Sequence, residues 1–87
     1  TMSETAAVLG QAFAAGDAAL ASKHIVLTGA MVPYSVSGSD ALFNLGGAFL
    51  AAQLTAPGVY IVMNGRCHSW ERVRKNRALG VFEDTAG

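Results

Sequence analysis

The chain divides into segments whose apolar residues recur at helical spacing and short runs in which they are consecutive. Val8, Leu9, Ala12 and Phe13 share one helical face, which predicts a helix from about Glu4 to Ala15. Ser3 is placed to cap it, and Glu4 falls in its first turn, where negative charge is favoured. Gly16-Asp17 marks a stop, and Ala18–Ser22 fits one further turn. His24–Thr28 and Val59–Met63 have no polar alternation and are predicted as strands buried on both faces, as in parallel sheets. Between them, Ala30–Ser39 is a loop with Pro33, Gly38 and three serines, and Asp40 is placed to cap a helix running to about Leu54. The Gly46-Gly47-Ala48 stretch costs helix propensity, so a close approach to a neighbouring strand or helix is expected there. Thr55-Ala56-Pro57-Gly58 ends the helix.

The pattern weakens after Asn64-Gly65, a turn signal. Ser69 is placed to cap a short turn through Arg72, Val73–Asn76 reads as extended, Gly80–Glu83 as an edge strand, and Asp84–Gly87 as a frayed end. Helix, strand, helix, strand is the βαβ rhythm. The expected class is α/β: part of a doubly wound, mostly parallel sheet with flanking helices, a partial domain. Ligands in such sheets bind beyond the carboxyl ends of the strands, which directs attention to the turn after Thr28, with Tyr34 and Ser35 further along the loop.

Composition adds a constraint. Eighty-seven residues make one domain at most. Only 14% are charged, against about 25% for an ordinary soluble domain, although a small chain has much surface to cover. The deficit implies surface covered by a further segment or another subunit. Net charge is zero, so no bulk field favours nucleic acid or an acidic membrane. Arg66, Arg72, Arg74, Lys75 and Arg77 carry five of the six positive charges, a grouping that ordinarily means a solvated face or a partner contact. Cys67 is the single cysteine and asks for no oxidising compartment. No leader is evident, and the longest apolar stretch, Ala41–Ala52, is too short for a membrane span. A soluble, cytoplasmic chain is expected. Its start at Thr1 is expected of a fragment or processed product.

Few residues offer chemistry of their own. His24 and His68 have no second ligand at a metal-like spacing, so no metal is expected. Cys67 beside His68 resembles a thiol–imidazole pair, but sequence neighbours rarely point together. Gly46-Gly47 lacks the spacing of a nucleotide-binding loop. Trp70 reads as a packing or interface residue.

Four sets of residues, in order, carry a family resemblance. They are Thr1-Met2-Ser3-Glu4-Thr5-Ala6, then Thr28-Gly29-Ala30-Met31 with Pro33, then Ser39-Asp40 with Phe43-Asn44-Leu45, and Val62-Met63-Asn64 followed by Arg72-Val73-Arg74-Lys75. Each motif is weak alone; together, at compatible spacing, they span nearly the whole chain. The chain resembles the second half of the N-terminal domain of the L-asparaginases, and most of all the compact single-domain members.

The resemblance implies hydrolysis of the side-chain amide of L-asparagine, with L-glutamine the alternative substrate, without metal or organic cofactor. The family uses a threonine nucleophile from a Thr-Gly-Gly-Thr motif, supported by a Thr-Asp pair and a lysine. That lysine sits eleven residues beyond the Asn of the second strand's Met-Asn, which is Lys75 here. The resemblance also places the backbone at Ala30 on the substrate pocket, and implies a homo-oligomer, since the family's active sites lie near subunit contacts. The departures matter as much. Neither Thr-Gly-Gly-Thr nor the Thr-Asp pair occurs in these residues, Thr1 corresponds to the threonine after that Asp, and Val32 replaces a common Arg. The 87 residues alone are therefore expected to hydrolyse asparagine little or not at all. The alternative reading is a non-catalytic, asparaginase-like piece acting through self-association or partner binding.

Overall fold

The computed structural model describes residues 2–76, 78–79 and 81–84, the Asn76 side chain excepted. Helix α1 (Met2–Ala14) leads through a turn to strand β1 (His24–Leu27). A loop then reaches helix α2 (Ala41–Leu54), followed by β2 (Gly58–Met63) and β3 (Arg66–Ser69). A single 3-10 turn, Trp70–Arg72, opens a hairpin of β4 (Val73–Asn76) and β5 (Val81–Asp84). β1 and β2 are parallel, with Ile25 opposite Val59, and β3 adds antiparallel to β2, with His68 opposite Ile61. β4 and β5 form a separate two-stranded sheet in which Lys75 faces Phe82.

The expected α/β class is thus found, as a partial domain with a mixed sheet. The antiparallel arm comes from Asn64 and Gly65, which have φ 52° and 80°. Positive φ at both central residues is the twist that a two-residue hairpin needs. Nothing in Arg66-Cys67-His68-Ser69 announces a strand, since it lacks β-branched and aromatic residues.

Because side chains alternate across a strand, β2 faces both helices. Val59, Ile61 and Met63 form the core with Ala6 of α1 and Phe82 of β5. On the opposite face, Val62 lies against Gly47 of α2. A Cβ at Gly47 would lie 3.3 Å from the Val62 side chain, so the expected close approach to a strand is made here. Gly46 makes no such approach: the space about its Cβ position is open. A second close approach was not anticipated. On α1, Gly10 lies directly under the indole of Trp70, and a Cβ there would overlap the ring.

Two expectations are corrected. β1 is not buried on both faces: His24 is exposed and Ile25–Leu27 are half-buried, because β1 has a neighbour on one side only among the described residues, whereas central β2 is almost wholly buried. Asp40 does not cap α2 with its side chain. Its carboxylate turns back into the preceding loop.

Candidate functional site

The site is built where the parallel strands end. The Thr28 hydroxyl donates to the Val62 carbonyl at 2.7 Å and fixes the exit of β1 against β2. Beyond it, Gly29-Ala30-Met31-Val32 is held by side chains from α2. The Asp40 carboxylate accepts the backbone N–H of Met31 at 3.0 Å and that of Val32 at 3.0 Å. It also accepts the side-chain amides of Asn44 at 2.8 Å and Asn64 at 3.0 Å. The backbone N–H groups of Val32 and Met31, with help from both asparagines, hold the Asp40 carboxyl far below the usual carboxylate range, against the opposing effect of desolvation.

Asn44 is the buried partner of this network, with 1% of its surface exposed. Its amide nitrogen donates to the Gly29 carbonyl at 2.9 Å and to Asp40, and its oxygen accepts the Asn64 backbone N–H at 2.8 Å. Both amide hydrogens and the carbonyl oxygen are used. One side chain therefore ties the turn after β1, the start of α2 and the end of β2 to one another. The sequence offered a signal for this pair: Asp40 and Asn44 lie four apart at a helix start, a spacing that puts them on one face. Their role in holding the turn was not read from it.

Against this rigid turn lies a cavity of about 230 Å³, lined by Ser3 and Glu4 of α1, Ala30, Met31, Met63, Lys75 and Phe82. Both residues singled out in the sequence, Ala30 and Lys75, are on its wall. Lys75 arrives from β4. Strand alternation sends Arg74 away from it to an ion pair with Glu83, at 2.7 Å, and leaves Lys75 on the face it shares with Phe82. The basic grouping is thus divided, and Arg77 lies outside the described residues. The cavity brings one cationic and one acidic side chain, with backbone groups at a strand end, around a space suited to a small polar molecule.

The remaining candidates are placed elsewhere. Tyr34 is exposed in the loop and does not line this cavity. His24 is exposed at the start of β1. His68 is on β3 and buried, with Nδ1 at 2.5 Å from Asp84 Oδ1. That pairing, sixteen residues apart across a hairpin, was invisible in the sequence. Cys67 points to the other face of β3 and makes no pair with His68; burial and then Asp84 push its thiol up, away from the reactive thiolate. Among the described residues no three His, Cys, Asp or Glu side chains group as metal ligands do.

The family model for the N-terminal domain of asparaginase matches residues 1–83. The chain belongs to the asparaginase family. A solved structure, the thermostable L-asparaginase from Thermococcus kodakarensis, superposes with a TM-score of 0.64 at 25% sequence identity, over 97% of this chain. The match covers 34% of that protein, so this asparaginase-family chain spans about a third of the length of the solved structure it resembles. A search of curated proteins returns no match. Among the described residues no helix is long and apolar enough to cross a membrane.

Proposed function

We propose that this chain contributes one limb of an L-asparaginase-type amidohydrolase site, acting on L-asparagine, with L-glutamine the alternative substrate, to give the acid and ammonia. The observation that carries the reading is the convergence of Ala30 and Lys75, from distant parts of the chain, on one polar cavity beside the end of β1. In this reading the Ala30 backbone lines the substrate pocket. Lys75 holds a partner carboxylate ionised and oriented, or itself shuttles the proton, so that the threonine hydroxyl gives up its proton as its oxygen attacks the amide carbon. Family membership and the match to the Thermococcus enzyme support the reaction class.

The nucleophile's Thr-Gly-Gly-Thr motif and the Thr-Asp pair are not among the 87 residues. We therefore infer that this chain alone forms no acyl intermediate and that the groups completing the site come from further protein. A cytoplasmic placement is part of this proposal, and the single cysteine is compatible with it. No metal or organic cofactor enters the proposed chemistry.

The test is ammonia release from L-asparagine by the purified chain beside Lys75→Ala. No release from either is the expected result. Release that disappears in Lys75→Ala would show that these residues supply their own nucleophile, and the division of the site proposed here would fail.

A second reading, action through association, is favoured by one observation: the long side chains on the outward face of α2 are apolar and exposed.

A further inference from the structure

The backbone groups of the turn after β1 are taken up one by one. The Gly29 carbonyl accepts the Asn44 amide at 2.9 Å. The Asp40 carboxylate accepts the N–H groups of Met31 and Val32, each at 3.0 Å. The Val32 carbonyl accepts the Ser39 hydroxyl at 2.5 Å. Between these ties lies Ala30, whose own N–H and C=O bond to no described residue. Ala30 is exposed and stands on the wall of the cavity that Lys75 shares. Backbone N–H and C=O are strong hydrogen-bonding groups that call for partners. These two are held still from both sides, with their bonding capacity left over for a ligand.

Asp40 serves this turn at the expense of its own helix. A carboxylate at an N-cap ordinarily accepts an N–H of the first turn, and losing such a cap costs about 1 kcal/mol. At α2 the Asp40 side chain makes no such bond. The Ser39 hydroxyl accepts the Ala41 N–H in its place, at 3.1 Å. The Asp40 oxygens instead take the two turn N–H groups and the amides of Asn44 and Asn64. A local rule set aside in this way is expected where a site serves function, because the cap would serve the fold alone better. The arrangement also needs a carboxylate. An asparagine at position 40 would offer one acceptor oxygen and set an NH2 group among donors.

We propose that Asp40 is a positioning residue for substrate: by taking the N–H groups of Met31 and Val32, it fixes the Ala30 peptide in the orientation that binds L-asparagine. The proposal rests on the reading that the Ala30 backbone lines the substrate pocket. Asp40 touches no substrate itself and acts through the turn, while Asn44 holds the other side of Ala30 at Gly29.

Titration of the isotope-labelled 87-residue chain with L-asparagine over about 1–100 mM, followed by nuclear magnetic resonance, tests this. The Ala30 N–H resonance of the wild type should shift and saturate. Asp40→Asn and Asp40→Ser should each weaken this binding about tenfold, read on folded molecules alone. A residue that only stabilises the fold would change the folded fraction and leave the affinity of folded molecules as it was. Asp40→Ser keeps the test open if Asp40→Asn unfolds, since serine is an N-cap residue and returns to α2 the cap it lacks. Asp17→Asn controls for charge: Asp17 also accepts a backbone N–H, that of Ala19 at 2.9 Å, beyond the far end of α1. Its affinity should match the wild type. Wild-type affinity in the folded Asp40 variants overturns the proposal and leaves the substrate reading standing. An equal loss in Asp17→Asn makes the effect one of net charge and also overturns it. A wild-type Ala30 resonance that ignores L-asparagine overturns the proposal together with the reading beneath it.

Discussion

Asn44 accepts the backbone N–H of Asn64 at 2.8 Å while its amide donates to the Gly29 carbonyl at 2.9 Å, so one buried side chain spans the ends of both parallel strands. Deleting it leaves a donor, an acceptor and part of a carboxylate shell without their partner at a half-buried site, and a gap where the buried side chain was. An unpaired buried group costs about 1–3 kcal/mol, more beside a charge. Asn44→Ala should therefore destabilise the chain by about 2–4 kcal/mol, read as a lower urea midpoint. Asn44→Asp keeps the shape but sets a second carboxylate against Asp40, and should be at least as damaging at neutral pH and less so in acid.

Asp40 makes the fold sensitive to acid in a defined direction. Its carboxyl is held far below the usual range in the folded chain, chiefly by the Val32 and Met31 amides, and titrates near 3.9 once unfolded. The native form thus binds fewer protons than the unfolded one below that value. The stabilisation is fully present above about pH 4 and is lost as pH falls through the lower folded value. Urea midpoints between pH 7 and pH 3 should fall more steeply for the wild type than for Asp40→Asn. Equal slopes would mean that the carboxylate does not hold the turn.

Much of this arrangement was legible in the sequence, and the parts that were not have physical reasons. β2 and the body of both helices followed from apolar spacing, because burial acts on runs of residues. The Asn64-Gly65 turn was legible, yet the strand it creates was not, because Arg66–Ser69 takes its structure from pairing with β2. Lys75 and Ala30 were singled out by resemblance alone, while the cavity whose wall they share depends on how β4 folds back over the core. Asp40 read as a helix cap, since only the folded loop offers it better donors than the helix end does.

The glycines separate into three kinds, with opposite expected responses. Gly10→Ala drives a methyl group into the Trp70 ring and should cost about 1–3 kcal/mol, the usual price of overpacking. Gly47→Ala presses on Val62 at 3.3 Å and should be milder. Gly46→Ala meets open space and should stabilise α2 by about 0.5–1 kcal/mol. Thermal unfolding of the three variants checks the order, and a stabilised Gly10→Ala would mean that Trp70 does not rest on α1.

The hairpin that carries Lys75 is tied to the main sheet by His68 and Asp84. His68 is 1% exposed on β3, and its Nδ1 lies 2.5 Å from Asp84 at the end of β5. The hydrogen bond from His68 is the largest cause holding the Asp84 carboxyl below its ordinary value, so this tie too is fully present above about pH 4 and lost as pH falls through the folded value. Phe82 anchors the middle of β5 in the core, which leaves the Asp84 end dependent on the histidine. Asp84→Ala should therefore loosen β4 and β5 without unfolding β2. Hydrogen exchange should show the amides of Val73–Asn76 exchanging at least tenfold faster, with those of Val59–Met63 unchanged. On the role proposed for Lys75, the same substitution in a protein with the complete site should lower kcat through a less well-held lysine while leaving the Ala30 turn, and the substrate contacts proposed for it, in place. Uniform acceleration across both sheets would instead make His68 and Asp84 part of the global fold, with no separate hold on the lysine.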